Sequence, residues 1–198
     1  MLCSGVIRAS GQSRAGLKGL ARAVDGAIKW GMNPSKYVIT TWRAEDRDAA
    51  IELIVGIQAG EFGLAITRAD QPDLEDVARF YGAGASGFWL AREIGGGIVG
   101  TIALTDIGDG VGVLRKMFVA PAHRGAVHGV GQGLMDHLVG HAGAQDLSTI
   151  VLGTTAAFVG AHRFYEKNGF VKINPAALPS AFPRMPLDDR FYQMNLVD

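Results

Sequence analysis

The chain has 198 residues, 19 Lys and Arg against 19 Asp and Glu, and 48% hydrophobic content with only 19% charged residues. Such a balance excludes an intrinsically disordered chain, which needs low hydrophobicity and high net charge. It also lacks the basic surplus of a nucleic-acid binder. The length suits one domain with a core of its own, or one domain with an appendage. Cys3 is the single cysteine, so no internal disulfide and no thiolate metal cage is expected, and a reducing, cytoplasmic setting follows. No apolar run approaches the roughly 20 residues that span a bilayer, so no membrane partner is expected. Glycine is over-represented at 28 residues.

Residues 1–35 carry Arg8, Arg14, Lys18, Arg22 and Lys29 against Asp25 alone, a net +4 that leaves −4 on the rest. Leu17, Leu20, Ala21, Val24, Ala27 and Ile28 predict an amphipathic helix over 14–30. An ordinary terminal helix or tail, a start at Met32 and a transit peptide all fit this N-terminal extension. The domain proper is expected over 36–198.

A strand is predicted over 37–42, and a helix over 46–60 with Ala50, Leu53, Ile54 and Ile57 on one face. Pro72 starts a second helix carrying Leu74, Val77, Ala78 and Phe80. Strands over 88–94, 98–105 and 111–119 form a meander, with turns at 95–97 and 106–110. Gly108-Asp-Gly-Val-Gly112 thus reads as hairpin chemistry rather than a ligand loop. A helix over 129–141, a buried strand over 149–154 and a helix over 156–168 follow, the last capped by Gly169. Pro175, Pro179, Pro183 and Pro186 mark an irregular connection, and 190–196 is the closing strand.

The densest glycine cluster sits where a strand meets a helix, His123-Arg-Gly-Ala-Val-His-Gly-Val-Gly-Gln-Gly-Leu134. A helix start presents unpaired amides and the positive end of the dipole. Glycines leave those amides open to an anion, and a phosphate or pyrophosphate fits there. No Lys-Ser/Thr follows the last glycine, so this is not a Walker loop. Leu134 stands where a dinucleotide fingerprint needs its third glycine. A ligand-free turn is the plain alternative.

Met117-Phe-Val-Ala-Pro-Ala-His-Arg-Gly125, Gly129-Val-Gly-Gln-Gly-Leu134 and Ala161-His-Arg-Phe-Tyr-Glu-Lys-Asn-Gly-Phe170 lie in one order and spacing. Together they resemble the coenzyme A loop and the closing helix of the GNAT superfamily of acyl-CoA-dependent N-acyltransferases. The resemblance covers roughly 37–196. It implies an α+β, three-layer fold: a mixed, mostly antiparallel central sheet of six to seven strands flanked by helices. It implies acetyl-CoA as cosubstrate, no metal, and a small-molecule or protein amine as acceptor; it allows a homodimer. The implied cofactor-binding residues are Met117, Phe118, Val119, Arg124, Gly125, Gly129, Val130, Gly131, Gln132, Gly133 and Phe158. Tyr165 is implied as the general acid at the thioester sulfur, with helix-core packing as its plain alternative. Two departures from the family pattern stand out. Arg124 precedes Gly129 by five, so the loop is two residues longer and strict spacing puts Ala126 at the Arg/Gln position. Phe158 occupies the position of an Asn found in many relatives.

The resemblance also implies that the strand over 111–119 splays from its neighbour and frees main-chain groups near Phe118 and Val119, a fully paired strand being the plain alternative. This strand carries no acid, so the general base is unassigned; Asp106, Asp109, Glu61 and Glu93 are the acids within reach. The resemblance places the acceptor between 60–87 and 174–190. There Arg184 or Arg190 suits a carboxylate and Asp188 or Asp189 an amine, although surface ion pairing explains all four equally well. His137 and His141 have helical metal-pair spacing but no third ligand, and read as surface histidines. His162 is expected at solvent or near the cofactor, and His128 in the loop. The expected activity is direct N-acetyl transfer. The rival readings are a non-catalytic acyl-CoA-binding module and nucleic-acid binding through the basic N-terminal helix.

Overall fold

The structure, a computed structural model, describes residues 36–196. The extension expected over 1–35, its helix included, lies outside those residues, as do 197 and 198. The strands are β1 (Tyr37–Thr41), β2 (Gly87–Glu93), β3 (Ile98–Asp106), β4 (Val111–Val119), β5 (Thr149–Thr154), β6 (Val171–Ile173) and β7 (Arg190–Asn195). They form one sheet in the order β1-β2-β3-β4-β5-β7-β6. Every pairing is antiparallel except β4 with β5. The helices are α1 (Arg47–Val55), α2 (Pro72–Glu75), α3 (Val77–Tyr81), α4 (Val130–Ala144) and α5 (Val159–Lys167). This is the mostly antiparallel, helix-flanked sheet the sequence implies. Among the described residues no helix is long and apolar enough to cross a membrane.

Both faces of the sheet are covered. On one, Leu134, Met135 and Leu138 of α4 and Tyr165 of α5 pack on Ile102, Leu104, Leu114, Ile150 and Leu152. On the other, Ile54, Leu74 and Tyr81 pack on Phe88, Leu90 and Ala103. A smaller cluster joins Val113 and Val151 to Phe182 and Phe191. In α1 the inward face carries Ala50, Ile51 and Ile54, so Ile51 is buried where Leu53 was expected. The helix does not stop at Gly60 cleanly. It widens into a π turn over Gly56–Glu61, which carries Gln58 and Glu61 toward β4.

The helix predicted from Pro72 is two short helices. Asp76 breaks it, because its carboxylate accepts the Arg79 amide at 3.2 Å and caps α3. The strand β6, just ahead of the proline-rich connection, has only three residues and too little alternation to be read from sequence.

The strand β4 is irregular in a way that shapes everything near it. Thr101 faces Phe118 while Ala103 faces Arg115, so two steps of β3 span three of β4. That extra residue is a β-bulge. It is centred on Lys116, which has φ of 50°, a rare conformation for a side chain with a Cβ. The buried Thr101 hydroxyl donates to the Lys116 carbonyl at 2.6 Å and pins it. Leu114 and Met117 consequently face α4 and α5, while Arg115 and Lys116 both reach the opposite side.

Candidate active site

The α4 N-terminus is left open by its own sequence. Gly129, in the left-handed conformation at φ 67°, is the residue before the helix, and no side chain caps it. Gly125, at φ 89°, turns the preceding loop. Among the described residues the Val130, Gly131 and Gln132 amides find no backbone partner, whereas Gly133 already donates to Gly129 at 2.9 Å. Gly131 and Gly133 differ in why they lack a side chain. A Cβ on Gly131 would make ordinary contact with Phe164 and Val119, whereas one on Gly133 would collide with the Tyr37 hydroxyl. Val130 is a core residue that offers only its amide to the mouth. The Gln132 side chain turns away, donating to Asp136 at 2.8 Å and Asn168 at 2.7 Å.

Arg124 stands at the loop entrance with its charge engaged. Its guanidinium forks onto Glu61 at 2.5 and 2.7 Å, and its Nε donates to the Val119 carbonyl at 2.8 Å. That pair holds the Glu61 carboxyl below the usual range, hydrogen bonding outweighing the effect of burial.

Beyond Val113 the strands β4 and β5 part. The splay leaves one edge of β4 without a strand partner from Leu114 to Val119. A cleft of about 500 Å³ opens there, lined by β4, by Gly153 and Thr154 of β5, by Tyr165 and by the 182–188 segment. Met117 and Phe118 line it, as does Phe158, whose ring packs edge-on against Phe62 at 4.6 Å. Tyr165 is 6% exposed and its hydroxyl makes no hydrogen bond to any described residue. Burial, with smaller contributions from Asp188 and Tyr192, pushes its phenol far above the ordinary value, so it stays protonated. The ring also packs against Phe170 and Tyr192, so core packing and cleft exposure are combined in one residue.

The acids named from sequence lie elsewhere. Asp106 accepts the Ala85 and Gly108 amides, Asp109 sits in the hairpin turn, Glu61 holds Arg124, and Glu93 is 3.6 Å from His123. None lines the cleft; Asp188 does. Of the two arginines expected at the acceptor side, Arg184 lies over Phe191 and donates to the Pro175 carbonyl, and Arg190 pairs with its neighbour Asp189. The cations in the cleft are Arg115 and Lys116. His137 and His141 pack edge-on against Trp89, and His141 is half-buried on the Ala85 carbonyl rather than free at the surface. His162 contacts the Thr155 carbonyl at 2.9 Å.

Lys116 is part of a buried network that sequence reasoning missed. Its ammonium lies 3.1 Å from Asp73 and donates to Gln71, and Asp73 accepts the Tyr81 hydroxyl at 2.5 Å. Burial lowers the lysine, and Asp73 opposes that shift. The only signal was Asp73 in the first turn of an otherwise apolar helix face.

The family model of the acetyltransferase (GNAT) family matches residues 57–170, which contain the splayed strand, the bare helix mouth and Tyr165. The chain belongs to the acetyltransferase (GNAT) family. A GNAT acetyltransferase from Staphylococcus aureus Mu50 superposes with a TM-score of 0.77 at 37% identity, over 81% of this chain and 99% of that one. N-acetylaspartate synthetase of Danio rerio is 33% identical over 128 residues, 62% of this chain and 44% of the relative. The chain spans less than half the length of the curated relatives it matches. N-acetylglutamate synthase from Neisseria gonorrhoeae, solved with coenzyme A and N-acetyl-glutamate, shares the GNAT fold at a TM-score of 0.62 and 16% identity, over 82% of this chain and 35% of that one.

Proposed function

We propose that this GNAT enzyme transfers the acetyl group of acetyl-CoA directly to a primary amine. The observation that carries the reading is the unpaired edge of β4, which has the uncapped α4 mouth beside one end and the cleft holding Tyr165 beside the other. The amides of Val130, Gly131 and Gln132 take the diphosphate, favoured by the helix dipole. Gly125 and Gly129 shape that cradle, and Gly133 gives Tyr37 the room to brace it. The main chain at Met117, Phe118 and Val119 runs beside the pantetheine arm, and Phe158 walls it. Arg124 reaches the phosphates by leaving Glu61.

The acceptor nitrogen attacks the thioester carbonyl as a neutral amine, and the departing sulfur needs a proton. Tyr165 supplies it, since its phenol is protonated and has no hydrogen bond to a described residue to give up. Among the described residues no serine or cysteine lines the cleft, which favours sequential kinetics. The single cysteine fits a cytoplasmic setting. The names of the N-acetylaspartate synthetase relatives make amino acids the first acceptors to try.

The test is amine-dependent release of free CoA from acetyl-CoA by the purified chain, with Gly131→Glu as the binding control. A carboxylate at 131 lies in the cradle and abolishes CoA binding by calorimetry. Undiminished binding to that variant, or CoA release indifferent to amine, overturns the reading.

A further inference from the structure

The bulge in β4 sends two consecutive cations into one cleft, and their charges are treated differently. Lys116 is neutralised by Asp73. Arg115, the adjacent residue, has no carboxylate partner among the described residues, and its Nη2 donates only to the Met185 thioether at 3.3 Å, a weak acceptor. A guanidinium whose fork matches a carboxylate is thus left unspent in the wall of the cleft. Across the opening stands Asp188, half-buried, its Oδ2 accepting only a long 3.4 Å bond from the Met185 amide. It lies over Gly153, where any Cβ would strike its carboxylate, so the glycine makes the space that admits it. Arg115 and Asp188 form no ion pair with each other, although both line the same opening.

We propose that the acceptor is a small amine bearing a carboxylate, the carboxylate held by Arg115 and the ammonium received by Asp188, which takes its proton before attack. The assignment rests on the acetyl-transfer reading and names its acceptor class. The ammonium gives one proton to Asp188. The neutral nitrogen then forms the C–N bond, the C–S bond breaks, and the sulfur gains a proton from Tyr165. The nitrogen's remaining surplus proton restores the phenol, and Asp188 releases its own to solvent. Burial pushes the Asp188 carboxyl up, which suits a base. The charged or titratable groups around it are Arg115 from β4, which opposes that rise, Tyr165 from α5, and Asp189 on its own segment; β5 presents Gly153 there.

The experiment compares amino acids, aspartate and glutamate included, with their α-carboxamides and with simple alkylamines as acceptors for the full chain. Amino acids are expected to exceed the carboxamides by roughly ten- to a hundredfold in kcat/KM, the range of a hydrogen bond to a charged group. Arg115→Gln removes most of that preference, Arg115→Lys restores part of it, and the charge-matched Arg184→Gln, outside the cleft, keeps it. Asp188→Asn lowers kcat and removes the acidic limb of the pH profile. Equal use of acids and carboxamides, or an Arg115→Gln effect of the same size on both, overturns the proposal while leaving acetyl transfer standing. Turnover of no amine in any panel, despite calorimetric binding of acetyl-CoA, overturns both.

Discussion

The Tyr37 hydroxyl donates to the Gly129 carbonyl at 2.9 Å, tying the edge strand β1 to the left-handed residue that opens α4. The bond fixes the direction of the amides behind Gly129 without touching them. Tyr37→Phe should therefore raise KM for acetyl-CoA by about fivefold, the cost of a hydrogen bond worth roughly 1 kcal/mol, with kcat nearly unchanged. Gly133→Ala should act in the same direction, because its methyl displaces the same hydroxyl. Steady-state kinetics with acetyl-CoA varied distinguish this from a loss in the chemical step.

Tyr165→Phe removes the hydroxyl proposed as the proton donor and little else, since the ring packing is kept. We expect kcat to fall by about 100-fold or more, the usual contribution of a general acid, with CoA affinity by calorimetry within a factor of about two. Burial holds the phenol above its ordinary value, so its ionisation contributes no alkaline loss of rate below that ordinary value. A kcat for the phenylalanine variant close to wild type would remove Tyr165 from the reaction.

If Arg124 is to take a phosphate as proposed, it must leave Glu61. Glu61→Gln weakens the fork that holds it, so KM for acetyl-CoA should drop by about two- to fivefold, the reach of an exposed ion pair worth up to about 1 kcal/mol. The gain should shrink as salt is raised, because the competing charges are solvent-accessible. A higher KM in this variant would show that Glu61 positions Arg124 rather than competing for it.

The Lys116–Asp73 pair is buried on both sides, with side-chain exposures of 8% and 9%. Lys116→Met strips Asp73 of its ammonium and should destabilise the fold by about 3–5 kcal/mol in denaturant titration. Replacing both partners by apolar residues should recover much of that loss, since the stranded charge is then gone.

Asp188 gives a pH signature with a definite sign. Its folded carboxyl is raised by burial above the unfolded one, so the native state binds the proton more tightly. Native stability therefore falls as pH climbs from the ordinary carboxylate range through the raised folded value. Asp188→Asn should melt higher than wild type at neutral pH, with the difference closing toward acid, even as its turnover drops. Thermal melts across that range check it.

The strands β2 to β5 were legible because turn glycines and alternating apolar residues punctuate them locally, and the bare α4 mouth was legible because Gly129, Gly131 and Gly133 fall at a strand-to-helix junction. The acceptor side was not. That Lys116 joins Arg115 on the cleft side depends on a bulge pinned by Thr101, 15 residues away, and strict alternation, which turns residue 116 toward α4, cannot predict it. Asp73 looked like first-turn decoration until its partners Lys116 and Tyr81 were brought to it by the sheet. Arg184 and Arg190 drew attention as cations in the right segment, yet Phe191, Pro175 and Asp189 absorb them. The contacts that place Lys116 are long-range, and periodicity carries no information about them.

The extra residue in β4 works as a phase shift along a single strand. Before it, side chains alternate in step with β3; after it, they alternate again with the opposite parity, and the residues at the shift itself border the cleft. Shortening the strand by one residue at 116 would let the sheet zip in plain alternation, with Arg115 still opposite Ala103 and Asp73 left without its ammonium. Under the proposed acceptor assignment, substitutions at 115 can therefore retune the amine side while the main chain at 118 and 119 keeps its register with β3.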